Sequence, residues 1–341
     1  MNVSARRNLQ RAVCACLALA VIGLTACGEK KESTTPTKSD QLTLMLDFFP
    51  NADHAGIYAA KANGHFKAVG LDVKIRQPAD PSAPIKQVAA GKVDLAISYE
   101  PEVLLAREKG LHVVSVAALV REPLTSIMSL PSANISKPAD LKGTTVGTAG
   151  IPYQSAYLDT IADQANFDPS DIKRKDVGFN LVSTLLAKRV DATLGGYWNY
   201  EGIQLKQDRR DPRIIKVQDA GVPTYDELVF VANEDALDRD SGKFRAFLGA
   251  LEQGTQDLKH NPKSAIKGLL DDNPDLDGKL QRASVKATLP LFLPAPGDPF
   301  GYQNPKQWDA FVAWMREHKL VTKLTDAQGA FTNELLPGQA K

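Results

Sequence analysis

The chain has three cysteines, Cys14, Cys16 and Cys27, and none after position 27. A body built from the later residues has no disulfide, no thiolate metal site and no cysteine nucleophile. Its five histidines (54, 65, 112, 260, 318) are scattered, with no metal-ligand spacing and no HExxH. There is no GxSxG nucleophile elbow and no phosphate-cradling GxxxxGK loop. Gly147-Thr148-Ala149-Gly150 is too short to be a dinucleotide fingerprint. An excess of one charge is missing too: without Arg6, Arg7 and Arg11, 38 basic residues stand against 40 acidic ones. That balance gives no support for a nucleic-acid partner. After residue 26 no apolar run is long enough for a transmembrane helix. Nothing in the sequence asks for a metal or a cofactor.

The N-terminus is an address. Three arginines precede an apolar run, Val13 to Leu24, that is short for a bilayer. Leu24-Thr25-Ala26-Cys27 resembles the lipobox of bacterial lipoproteins. The expectation is a signal peptide over residues 1–26, acylation of Cys27, and a flexible Lys/Glu/Ser/Thr/Pro tether over 27–40. A plain signal peptide or an uncleaved anchor is the alternative. About three hundred residues remain, enough for two lobes with separate cores.

Strands alternate with helices from Leu42 onward, and the alternation restarts after Pro131, which argues for parallel α/β layers. Beyond Ala232 the sequence turns helical (near Lys243–Lys259, Lys263–Leu270, Lys279–Thr288 and Lys306–His318). The expected architecture is α/β with two lobes, two crossings and a helical C-terminal tail. Lobe 1 takes 41–129 plus 231–341 and lobe 2 takes 130–230, with crossings near Met128–Leu130 and Leu228–Ala232. Asp53 is expected to cap the first helix.

Ligands of open α/β sheets bind beyond the carboxyl ends of strands, and four such loops are polar and aromatic. The first holds Asp47, Phe48 and Asn51, followed by His54 and Tyr58; the second holds Tyr99 and Glu100. The third runs through Gly150 to Tyr153 and Tyr157. The fourth is Gly195-Gly196-Tyr197-Trp198-Asn199-Tyr200-Glu201, whose glycines allow a sharp turn and whose aromatics offer flat faces. Six of the eight tyrosines fall at or beside these loops, a joint placement that suits a flat, nitrogen-rich ring. Asp47, Glu100 and Glu201 would pair with ring N–H donors if buried. Solvent exposure or a local Lys or Arg would account for each equally well, and an Asp47/Glu201 acid–base pair is the enzyme reading.

The motifs Leu46-Asp47-Phe48-Phe49-Pro50-Asn51 with His54, Gly91-Lys92-Val93-Asp94, Asp140-Leu141-Lys142-Gly143 and the GGYWNYE heptapeptide give a resemblance. From Leu42 to Ala236 the chain resembles ABC-transporter substrate-binding proteins of the thiamine-pyrimidine-precursor and riboflavin group, relatives of the eukaryotic thiamine pyrimidine synthase. The resemblance implies a type II-like periplasmic-binding-protein fold that closes on its ligand. It implies that Asp47 and Glu201 bond ring nitrogens, and that Phe48, Tyr58, Tyr197 and Trp198 wall the ring. Asn51 and His54 would brace the first loop, and the Gly150–Tyr153 loop would face the ligand's substituent. Phe48-Phe49 departs from the Trp-aromatic pair expected there. The synthase needs a cysteine-rich segment that this chain lacks, so the implied role is binding rather than synthesis. The implied partners are a heterocyclic ligand, an ABC permease with its ATPase, and a membrane held through lipid alone, with the protein a monomer in the cell envelope, outside the cytoplasm. Riboflavin, a pyrimidine-processing enzyme and a sulfonate or nitrate receptor remain alternatives.

Overall fold

The computed structural model describes residues 40–338. The signal segment, Cys27 and all but the last residue of the tether lie outside them.

Among the described residues ten strands form two five-stranded sheets. The buried apolar runs supply β1 (Asp40–Met45), β2 (Leu71–Arg76), β3 (Leu95–Ser98) and β4 (Val113–Val120). They continue through β5 (Thr125–Ser129), β6 (Thr145–Thr148), β7 (Lys173–Asp176) and β8 (Ala192–Tyr197). The last two are β9 (Arg213–Lys216) and β10 (Leu228–Asn233). The first sheet has the order β2-β1-β3-β10-β4 and the second β7-β6-β8-β5-β9. Parallel pairs join β1 to β2 and β3, with Leu42 beside Val73 and Leu44 beside Leu95. Parallel pairs likewise join β6 to β7 and β8. In each sheet one strand lies antiparallel to its neighbours, and it is the strand that arrives from the other half: β10 in the first, β5 in the second.

That pairing corrects the expected boundaries. Residues 125–129 belong to the second sheet and 228–230 to the first, so both crossings come earlier than anticipated. The apolar stretches are committed to buried ladders. The connection is left to Arg121-Glu122-Pro123 and to the segment from Gly221, where proline and glycine interrupt the ladders. Buried Glu227 ties the two crossings together. Its carboxylate accepts the N–H groups of Leu124 (2.7 Å) and Thr125 (2.8 Å), the Thr125 hydroxyl (3.0 Å) and the Tyr225 hydroxyl (3.0 Å).

The helical tail comprises Ser241–His260, Pro262–Asp272, Gly278–Phe292 and Pro305–Glu317. The first of these packs on helix Ala55–Ala62 with backbones nearly touching, because Gly254 faces Gly56 and Ala60. A Cβ on Gly254 would sit 2.6 Å from the Ala60 nitrogen.

Candidate functional site

β1 ends by releasing Asp47 and Phe48 into a turn that a short polar relay holds. Asn51 stands in extended backbone and caps the following 3-10 turn: its Oδ1 accepts the Asp53 N–H (2.7 Å) and its Nδ2 donates to the Phe49 carbonyl (3.1 Å). The cap is therefore Asn51 and not Asp53, because only the residue ahead of the turn can reach its free N–H groups. His54, fully buried, accepts the Asn51 N–H at Nδ1 (3.2 Å), which puts its proton on Nε2, 2.9 Å from Asp47 Oδ1. Tyr99, at the end of β3, donates its hydroxyl to Asp47 Oδ2 (3.2 Å). Both oxygens of Asp47 are thus held by donors, and the carboxylate is fixed with lone pairs left for a ligand.

Opposite lies the end of β8, which corrects the reading of the two glycines as a sharp turn. They continue the strand, with a register shift against β5 at Gly195, whose φ is +116°. The turn comes at Trp198–Tyr200, and Glu201 opens helix Glu201–Gln207. Its Oε2 accepts the Tyr197 N–H at 2.7 Å. Burial pushes the Glu201 carboxyl up to about 7; the Tyr197 and Glu201 N–H groups pull the other way and the nearby Asp47 charge adds to the rise.

Between these ends opens a cleft that is partly continuous with solvent. Of the expected residues, Asp47, Phe48, Asn51, Tyr99, Tyr153, Tyr197 and Glu201 line it. Sequence reasoning missed Pro81, Thr125, Gln154, Phe179 and Leu181, and gave Tyr200 no role beyond its place in the heptapeptide. Phe179 closes an aromatic cluster with Phe48 (4.7 Å between centroids) and Phe49 (5.1 Å). Its position after β7, a strand end in the second sheet, was the available signal. Among the described residues no lysine, arginine or histidine lies on the wall, and no group of three His, Cys, Asp or Glu side chains is placed to hold a metal.

The other expected residues stand elsewhere. His54 is behind Asp47, and Tyr58, one helical turn further on, faces a separate groove beside Lys61 and Asp272. Glu100 is buried against Asp226, whose N–H it accepts at 2.7 Å; burial and that neighbour push its carboxyl well up. Gly150 sits between lining residues Ala149 and Ile151 but itself abuts Asp176. Tyr157 packs behind Tyr153 at 5.1 Å. Trp198 lies outside the cleft, its Nε1 donating to the Pro123 carbonyl (3.2 Å) and Lys216 Nζ lying 4.2 Å over its ring. Asn199 is fully buried and serves the frame: its Nδ2 donates to Asp53 Oδ1 (2.7 Å) and to Thr288 Oγ1 (2.6 Å). Burial pushes the Asp53 carboxyl up to about 7, with His54 and the Asn199 amide opposing and Asp47 and Glu201 adding to the rise.

Comparison with known proteins finds relatives along most of the chain. A formylaminopyrimidine-binding protein of Halalkalibacterium halodurans is 36% identical over 320 residues, 93% of this chain and 97% of the relative. A 4-amino-5-hydroxymethyl-2-methylpyrimidine phosphate synthase of Saccharomyces cerevisiae is 28% identical over 252 residues, 71% of this chain and 74% of the relative. Among solved structures, the alkanesulfonate-binding protein of Xanthomonas axonopodis pv. citri bound to MOPS superposes with a TM-score of 0.69 at 17% identity, over 87% of this chain and 99% of that one. The two sheets and two crossings are those of the two-lobed periplasmic-binding-protein fold. The NMT1/THI5-like model matches residues 51–265, and with a relative 36% identical along nearly its whole length, the chain belongs to that family.

Proposed function

We propose that this chain is the ligand-capturing component of an ABC importer and that its cleft takes a thiamine pyrimidine precursor of the formylaminopyrimidine type. The observation that carries the reading is the pair of carboxylates, Asp47 and Glu201, each already oriented by protein N–H or O–H donors, on a wall rich in aromatic rings and, among the described residues, without a cation. Fixed acceptors between flat apolar faces suit a planar ring bearing N–H groups. An anion such as a sulfonate would meet two carboxylates and no counter-charge, at a cost that disfavours it. The Halalkalibacterium relative's name supports the same ligand class. Capture rather than synthesis is supported by the absence of any cysteine after position 27, which leaves thiol chemistry no source at the cleft. In this proposal Cys27 carries the lipid that holds a monomeric receptor outside the cytoplasm, next to its permease and ATPase.

The test is to purify the protein without residues 1–27, record its visible absorption, denature it and determine the mass of what is released. A colourless protein releasing an aminopyrimidine is expected. A yellow protein releasing a flavin would replace this ligand with riboflavin, and conversion of an added pyrimidine into product would replace capture with catalysis.

A further inference from the structure

We propose that Gln154 is a specificity-determining residue of the cleft, a fixed amide N–H donor that selects a ligand carrying a carbonyl, and so favours a formylaminopyrimidine over the corresponding free amine. The proposal rests on the reading of the cleft as a pyrimidine site. Gln154 stands in the first turn of helix Tyr153–Gln164, on the cleft wall, and is only 3% exposed. Its Oε1 accepts the Ala149 N–H at 2.9 Å. A backbone N–H can be met only by an acceptor, so the amide has one orientation and its NH₂ points the other way.

That NH₂ makes no hydrogen bond to any described residue, and its nitrogen lies 2.7 Å from where a Cβ on Gly195 would stand. Gly195 is on the cleft wall too. The register shift that gives it φ +116° and the lack of a side chain leave room for the amide beside the cleft. The nitrogen is not sealed away: it keeps exposed surface on the cleft wall, where solvent or a ligand acceptor meets it.

The other polar groups on the wall do not discriminate in this way. Phenol hydroxyls such as those of Tyr153 and Tyr197 rotate to suit either a donor or an acceptor. Asp47 and Glu201 accept. The Asn51 amide is also fixed by backbone bonds, but its Nδ2 already donates to the Phe49 carbonyl, whereas Gln154 presents a fixed NH₂ with no protein acceptor among the described residues. A formyl oxygen meets it as an acceptor. A protonated amine in the same place sets donor against donor and leaves the amide unpaired, the kind of mismatch that gives large discrimination.

Calorimetric titration of wild type, Gln154→Met and Gln154→Glu, each with a formylaminopyrimidine and with its deformylated amine, tests this. Wild type is expected to prefer the formylated ligand. Gln154→Met should weaken the formylated ligand about tenfold or more while changing the amine less than about threefold. Gln154→Glu, measured at pH 8, keeps an oxygen for the Ala149 N–H and turns a second one outward, and should shift the preference toward the amine. Equal losses for both ligands in Gln154→Met, or an unchanged ratio in both variants, would mean that the side chain only shapes the wall and would overturn the inference. A wild type that binds neither ligand would instead remove the pyrimidine reading, and this inference with it.

Discussion

Single side chains in this cleft work because their neighbours have already fixed them. Asp47 is held by His54 and Tyr99, and Glu201 by the Tyr197 N–H, so neither has to be reordered when a ligand arrives. Glu201→Gln should reduce affinity for a formylaminopyrimidine by on the order of 2 kcal/mol, because an acceptor for a ligand N–H is replaced by a donor. The acid–base sign follows from the raised carboxyl, near 7. Accepting from the ligand requires the ionised form, so wild-type affinity should rise as pH increases through about 7, and the rise should vanish in Glu201→Gln. Titrations at pH 6, 7 and 8 check both points, and equal affinity of the two proteins would remove Glu201 from the contact. The acids and most wall aromatics were legible in the sequence because strand ends and aromatic clustering are local patterns. Asn199 and Glu100 were not, because the same residue types serve a frame: one is bonded to Asp53 and Thr288, the other to the Asp226 backbone. Only the fold shows which role a buried polar group has.

At the scale of elements, the cleft depends on how closely helix Ala55–Ala62 sits against Ser241–His260, since the chain enters that helix directly from the Asp47–His54 relay. Gly254→Ala should destabilise the protein by roughly 1–3 kcal/mol through overlap with the Gly56 and Ala60 backbones. Chemical denaturation measures it, and an unchanged midpoint would show that the helices can separate at little cost. Helix and strand positions followed from periodicity, with ends within a few residues. Sheet membership did not, because an apolar run such as Leu124–Leu130 reads the same whichever sheet it joins. Its pairing with β8 and β9 depends on partners far along the chain. The bulge at Gly195 escaped for the same reason: two adjacent glycines suggest a turn until the opposing strand is known.

For the whole molecule, the two halves meet through polar and aromatic contacts across the cleft. Asp53 from the first half bonds Asn199 from the second, and Phe48 and Phe49 meet Phe179. The Asp53 contact carries a pH dependence. Burial raises its carboxyl from 3.8 to about 7, so the folded state holds a proton that the unfolded chain has already lost over that interval. Stability from this group is therefore full below about pH 4, falls as pH rises, and levels off above about 7, a change on the order of 4 kcal/mol. Buried Glu102 and Asp226, also raised to about 7, act with the same sign. The melting temperature should thus drop between pH 5 and 7.5, and Asp53→Asn should flatten the drop; a variant with the wild-type slope would contradict this account of Asp53.

The central claim is that this cleft captures a neutral, N–H-bearing pyrimidine and leaves it unchanged. Calorimetric titration of the protein lacking residues 1–27 with a formylaminopyrimidine, followed by analysis of the recovered ligand, tests it most directly. The account predicts saturable one-to-one binding and recovery of intact ligand. Absence of heat and of any thermal shift, or recovery of a chemically altered pyrimidine, would contradict it.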